Sequence, residues 1–196
     1  MTPDLKQLRR DIRAARRAIA PEERQQISAA TAATALAWLR AHADIRRVAT
    51  FLSLAEEIDT APLNRALWQA GYDLYLPYVR GKGEVLAWLP YAPDTVLAPD
   101  AAGIPAPPLH AALDALALDA VITPLVAWDV HGTRLGMGGG FYDRTFARKM
   151  PRTKPWLIGM AYPCQAVATL PRRPWDVPLD AVASRETLYT YPQEQP

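Results

Sequence analysis

The thirteen residues Gly132-Thr133-Arg134-Leu135-Gly136-Met137-Gly138-Gly139-Gly140-Phe141-Tyr142-Asp143-Arg144 hold five of the ten glycines in this chain. Glycine loses more backbone freedom on folding than any other residue, so such density needs a reason. The apolar run 118–128 just upstream reads as a buried strand. Downstream, residues 141–149 have the periodicity of a short helix. A glycine loop between a strand and a helix brings backbone N–H groups close to a phosphate. Arg134 and Arg144 bracket the loop, and Asp143 opens the helix. Polyphosphate, guanidinium and carboxylate together point to a nucleotide with a divalent cation. No Gly-Lys-Ser/Thr follows and the strict dinucleotide fingerprint is absent, so the motif is neither of those sites. A surface loop or tight crossover is the plain alternative.

Other residues could join this chemistry. Lys6 and Arg10 are four apart on a predicted helix and share a face that Arg13 and Arg17 continue. That face is either solvated or a clamp on phosphates, a role that suits arginine because its fork meets two oxygens. Arg9 and Arg16 point elsewhere and are expected in solvent. Glu56, Glu57 and Asp59 form an acidic knot that either favours the next helix start or accepts hydrogen bonds from an amino-heterocycle. Asp143 and Asp176 are far apart in sequence, yet if they meet they make a magnesium environment. Trp175 beside Asp176 reads either as a stacking surface or, by default, as a core side chain, and Trp38, Trp68, Trp88, Trp128 and Trp156 read as packing residues. Of His42, His110 and His131, only His131 is near the glycine loop. Cys164 reads as a small hydrophobe rather than a nucleophile.

These residues need elements to position them. Thr2-Pro3-Asp4 is a helix start, and the helix runs to about Ala18. A second helix starts at Pro21 and reaches about Ala43. Residues 47–52 read as a strand, Thr60 caps a helix that Gly71 ends, and residues 72–76 and 86–89 read as strands. Residues 92–110 form a structured connection. Strands follow at 156–162 and 179–184, and the tail from Thr190 frays. The alternation predicts a three-layer α/β sandwich with a mostly parallel, Rossmann-like central sheet covered on both faces. Ligands collect beyond the carboxyl ends of such strands. The glycine loop and the Glu56-Glu57 turn both belong at that rim.

The 196 residues fit one domain with a substantial core. A net charge of +2 does not by itself imply a nucleic-acid partner. The excess concentrates in residues 1–24, with seven Lys/Arg against four acids. Cys164 is the only cysteine, so no intrachain disulfide forms, which fits a reducing cytoplasm. No signal peptide and no membrane-spanning run of ~18 apolar residues is read.

An ordered set now stands out: Lys6 and Arg10, Glu57-Ile58-Asp59-Thr60, Leu76-Pro77, Gly103-Ile104-Pro105-Ala106-Pro107, Asp129 with the glycine block, Gln165, and Trp175-Asp176. It resembles the 5-formyltetrahydrofolate cyclo-ligase family over nearly the whole chain. The resemblance implies ATP-dependent cyclisation of 5-formyltetrahydrofolate to 5,10-methenyltetrahydrofolate by a cytoplasmic, magnesium-using monomer. It implies that Lys6, Arg10 and residues Gly132, Thr133, Arg134, Leu135, Gly136, Met137, Gly138, Gly139 and Gly140 hold ATP. Lys6, Arg10 and Arg134 would be catalytic. Leu52, Glu57 and Tyr142 would contact the folate, and Asp143 and Asp176 the Mg2+. The chain departs from the family pattern at Met137 and Phe141, where many members carry tyrosine. Ala106 stands for a common glutamate, Trp175 for a frequent histidine and Arg173 for a frequent glutamate. A non-catalytic folate or nucleotide binder of the same fold, or a different phosphate-handling α/β enzyme, are the competing readings.

Overall fold

The computed structural model describes residues 4–191. Helix α1 (Leu5–Ala18) starts at Asp4, whose carboxylate accepts the N–H groups of Lys6 and Gln7 at 2.9 and 3.2 Å. The expected start at Thr2-Pro3 lies outside the described residues, and Asp4 is the cap rather than a first-turn acid. Helix α2 (Pro21–Arg40) leads to β1 (Arg47–Ala49), α3 (Ala61–Gln69), β2 (Asp73–Tyr78) and β3 (Ala87–Pro90). Thr60 precedes α3, but its hydroxyl donates to Phe51 O at 2.6 Å. Asp59 Oδ1 accepts the Ala61 N–H instead, at 2.9 Å. The proline-rich connection holds a small ribbon of β4 (Ala98–Pro99) and β5 (Pro105–Ala106). Then come β6 (Ala120–Thr123), the hairpin β7 (Ala127–Trp128) and β8 (Arg134–Leu135), and α4 (Phe141–Thr145). The chain continues through β9 (Trp156–Met160), β10 (Ala181–Ser184) and β11 (Thr187–Thr190).

Among the described residues, seven strands form one sheet in the order β11-β10-β9-β6-β1-β2-β3. The five from β10 to β2 are parallel, and the edges β3 and β11 pair antiparallel. From β1 the chain builds outward to β2 on one side, and later to β6, β9 and β10 on the other. The order therefore reverses between β1 and β6, where open sheets of this kind leave a crevice for ligands.

Alternation along the strands sorts the core into two layers. Val48, Ile122, Ile158, Ala181 and Ala183 face α2 and α3 through Ile27, Leu39, Leu63 and Leu67. Ala49, Val121, Leu157 and Val182 face the other way, onto Trp88, Leu125, Trp128 and Phe146. The second layer is thus carried by the β7–β8 hairpin and the short α4 rather than by long helices.

Three expectations are corrected here. The apolar run 118–128 is not one strand: β6 ends at Thr123, Pro124 follows without an N–H to donate, and the chain leaves the sheet for the hairpin. The helix over 141–149 stops at Thr145. Thr190 belongs to edge strand β11 rather than to a frayed tail; the tail residues 192–196 lie outside the described residues. Among the described residues no helix is long and apolar enough to cross a membrane.

Candidate active site

At the reversal point, Phe51 follows β1 and Pro124 and Leu125 follow β6. Together with Glu57, Arg16 and Gln165 they line a crevice too narrow, as it stands, to admit a water molecule. Gln165 is fully satisfied: its amide donates to Leu125 O and Val126 O at 2.8 and 3.1 Å, and its carbonyl accepts the Tyr162 N–H at 2.8 Å. Glu57 is not. Its carboxylate accepts one backbone N–H, from Leu54 at 3.0 Å. Burial pushes its acid above the ordinary range, with the Leu54 N–H and the Arg16 charge opposing. Leu52, between Phe51 and the turn that carries Glu57, is half-buried.

The structure divides the glycine-rich block in two. Gly132 and Thr133 are buried in the β7–β8 turn, which Asp129 organises: its carboxylate accepts the N–H groups of His131, Thr133 and Leu170 at 2.9, 3.0 and 2.8 Å. A Cβ on Gly132 would meet Leu179 O at 2.9 Å, so glycine is required for close approach. Leu135 is buried under α1 with Leu5, Leu8 and Ile12. From Gly136 onward the chain rises to the surface, and Met137, Gly138 and Gly139 are exposed. Gly138 sits at φ +101°, where a side chain would be strained. None of the N–H groups from Gly136 to Gly140 finds an acceptor among the described residues. Backbone donors are obligatory hydrogen-bonding groups, so this is a row of N–H groups available to an anion.

Arg134 and Asp143, expected as phosphate and metal residues, form one unit. Arg134 Nη2 meets Asp143 Oδ1 at 2.8 Å, and Nη1 donates to Val177 O. Val177 N donates to the same Asp143 oxygen at 3.1 Å. Asp176 precedes Val177, and its Oδ2 accepts the Arg173 N–H at 2.8 Å. Among the described residues no group of three or more His, Cys, Asp or Glu could hold a metal. Two carboxylates with phosphate and water oxygens nevertheless match what Mg2+ accepts. The Tyr142 ring lies under the Arg134 guanidinium at 5.9 Å. Burial pushes the Tyr142 phenol up, Arg134 opposes, and the Glu57 charge adds to the rise.

Helix α1 closes the rim differently from expectation. Lys6 and Arg10 are exposed. Arg9, expected in solvent, donates from Nε to Gly136 O at 2.8 Å and so ties the helix to the exposed glycines. Arg16, also expected in solvent, is 1% exposed. Arg13 and Arg17, expected to continue a phosphate face, both pair with Glu56, as does Arg16. A signal for Arg16 was present: it continues the apolar stripe Leu5, Leu8, Ile12 at the next helical step. Trp175 is 64% exposed with Arg173 over its ring at 5.7 Å, so it is not a core side chain.

Residues 2–185 match the model of the 5-formyltetrahydrofolate cyclo-ligase family. The chain is 40% identical to the 5-formyltetrahydrofolate cyclo-ligase of Escherichia coli (strain K12) over 188 residues, 92% of this chain and all of that one. The Haemophilus influenzae protein of the same name is 41% identical over 138 residues, 68% of this chain and 73% of that one. The NMR structure of Aquifex aeolicus 5,10-methenyltetrahydrofolate synthetase superposes with a TM-score of 0.81 at 27% identity, covering 98% of this chain and 95% of that one. A 5,10-methenyltetrahydrofolate synthetase from Mycoplasma pneumoniae shares the fold, with a TM-score of 0.74 at 23% identity over 94% of this chain and all of that one.

Proposed function

The chain belongs to the 5-formyltetrahydrofolate cyclo-ligase family, and from this premise we propose that it uses ATP to cyclise 5-formyltetrahydrofolate to 5,10-methenyltetrahydrofolate, releasing ADP and phosphate. The formyl oxygen attacks the γ-phosphorus, and the bond to ADP breaks. The formyl oxygen, now phosphorylated, is a leaving group; N10 adds to the carbon and gives up its proton, and the C–O bond breaks as phosphate departs. Phosphoryl transfer asks for positioning and charge neutralisation rather than covalent work by the protein. No protein nucleophile is needed, and burial pushes the Cys164 thiol up, away from the reactive thiolate.

The observation that carries this reading is the row of N–H groups from Gly136 to Gly140 without acceptors, beside the Arg134–Asp143 pair. In it, Gly136, Met137, Gly138, Gly139 and Gly140 cradle the phosphates. Gly132, Thr133 and Leu135 support that loop from behind. Arg134 neutralises the transferring group. Lys6 and Arg10 close the far side, from the helix that Arg9 ties to the loop. Asp143 and Asp176 would hold Mg2+, which supplies charge neutralisation on phosphate oxygens. Glu57 accepts the pterin amino group, with Leu52 and Tyr142 alongside, once the turn before Ile58 opens the crevice. The test follows the absorbance of the methenyl product from 5-formyltetrahydrofolate with the purified protein. Product is expected only with both ATP and Mg2+. Product formed without ATP, or none with both present, overturns the reading.

A further inference from the structure

We propose that Arg9 and Arg144 are positioning residues of the phosphate cradle: by holding the carbonyl oxygens of Gly136 and Gly139, they aim the N–H groups of Met137 and Gly140 to the opposite side, toward the anion. The inference rests on the reading of residues 136–140 as that cradle.

Four of the five residues from Gly136 to Gly140 are glycine. Glycine peptides turn freely, so something outside the row must fix its direction. Backbone pairing does not: among the described residues, no backbone–backbone hydrogen bond involves residues 136–139. Two guanidinium groups do it instead. Arg9 Nε donates to Gly136 O at 2.8 Å, and Arg144 Nη2 donates to Gly139 O at 2.7 Å. Both peptides are trans, and in a trans peptide the C=O and the N–H point to opposite sides of the chain. A hydrogen bond at Gly136 O therefore turns the Met137 N–H away from Arg9. One at Gly139 O turns the Gly140 N–H away from Arg144. Neither N–H finds an acceptor among the described residues.

Each arginine is itself fixed. Arg9 Nη1 also reaches Leu5 O at 3.4 Å, on a helix whose Leu5, Leu8 and Ile12 pack with Leu135, just before the row. Arg144 folds back from α4, with the Phe141 ring 5.1 Å from its guanidinium. It lies so close to the chain that a Cβ on Gly140 would meet its Nη1 at 2.7 Å. Gly139 is exposed and Gly136 half-buried, so water can reach this stretch of chain without the arginines. Hydrogen bonds that replace water add little net stability. What the two arginines change is the direction of the row, one at its start and one at its end.

The experiment measures, by calorimetry, MgATP binding without folate and 5-formyltetrahydrofolate binding without ATP. Arg9→Met and Arg144→Met are each expected to weaken ATP binding about tenfold, the scale of one charged hydrogen bond, while folate affinity changes less than about twofold. Arg9→Gln decides between aim and charge. Glutamine carries an N–H donor as many bonds from the backbone as arginine Nε, so it can hold Gly136 O without a positive charge. It should bind ATP within about threefold of wild type. Glutamine as weak as methionine would mean that the charge acts on the phosphates directly, and the inference is overturned. It is also overturned if either methionine variant keeps wild-type ATP affinity, or if folate binding weakens as much as ATP binding, as a general structural role requires. Should Arg9→Met fail to fold by circular dichroism, Arg9→Ala makes the same prediction. Gly138→Ala separates the premise. The φ of +101° strains any side chain there, so the cradle distorts and ATP affinity falls. If it stays at the wild-type value, residues 136–140 do not hold the phosphates and that reading itself is wrong.

Discussion

Arg134 carries its charge with a side chain only 5% exposed, bridging Asp143 and the Val177 carbonyl. Burial pushes its guanidinium down from the usual range and the Asp143 charge opposes this; a guanidinium stays protonated in either case. A cation already desolvated and aimed does not reorganise when charge develops on a transferring phosphoryl group. Arg134→Ala is therefore expected to lower kcat by about 100-fold or more, read by the methenyl absorbance. Arg134→Lys restores little, because an ammonium cannot fork between Asp143 and Val177. A kcat near wild type in Arg134→Ala would remove this side chain from the chemistry. Arg134, Asp143 and Glu57 stood out in the sequence because two belong to a charged, glycine-dense block and the third to an acidic knot after a strand. Arg16 was passed over although it continues the stripe Leu5, Leu8, Ile12, because a charged residue on a basic helix reads as solvated until the helix is docked. Arg9 escaped for the same reason: its acceptor is a carbonyl 127 residues away in sequence.

The β7–β8 hairpin is the element that presents Arg134, and Asp129 is its organiser. Asp129 is 1% exposed and accepts three backbone N–H groups across both oxygens. Asp129→Asn replaces one accepting oxygen with an NH2 that faces an N–H donor. Leaving such groups unpaired costs about 1–3 kcal/mol, so urea unfolding should show a loss of that size. Unchanged stability would show that the carboxylate does not hold the turn. Helices α2 and α3 were legible from their boundary residues, Pro21 for one and Pro62 and Gly71 for the other, and the parallel strands from their apolar runs. The hairpin was not: Pro124 stands inside a continuous apolar run, and periodicity does not say whether such a run stays in one sheet. Edge strand β11 was missed because its register with β10 is a tertiary pairing of a polar segment.

Across the whole molecule the two rims of the sheet differ in what they leave unpaired. The carboxyl rim has ion pairs, Arg134–Asp143 and Glu56 with three arginines, but also N–H groups from Gly136 to Gly140 without acceptors among the described residues. The amino rim is closed by matched charges. There Lys154 meets Asp119 and Asp44, each at 3.0 Å, joining the segment before β9 to the starts of β6 and β1. Burial pushes Asp119 up, but the N–H groups of Arg47 and Arg46 and the Lys154 ammonium hold it below its usual value. Lys154 is lowered by burial and raised more strongly by Asp119 and Asp44. A depressed carboxylate pKa contributes stability above its unfolded value and loses it as pH falls through the folded one. A raised ammonium pKa contributes below its unfolded value and loses it as pH rises through the folded one. The network should therefore stabilise between about pH 5 and pH 9, and fade below about pH 4 and above about pH 11. Thermal melts of Lys154→Met against wild type check this. The Tm of the variant should be lower by a few degrees across the middle range, a modest effect because the pair is partly solvated. The gap should narrow at both extremes; a gap as wide at pH 3 as at pH 7 would show that Lys154 packs rather than pairs, and that the amino rim is not held by charge.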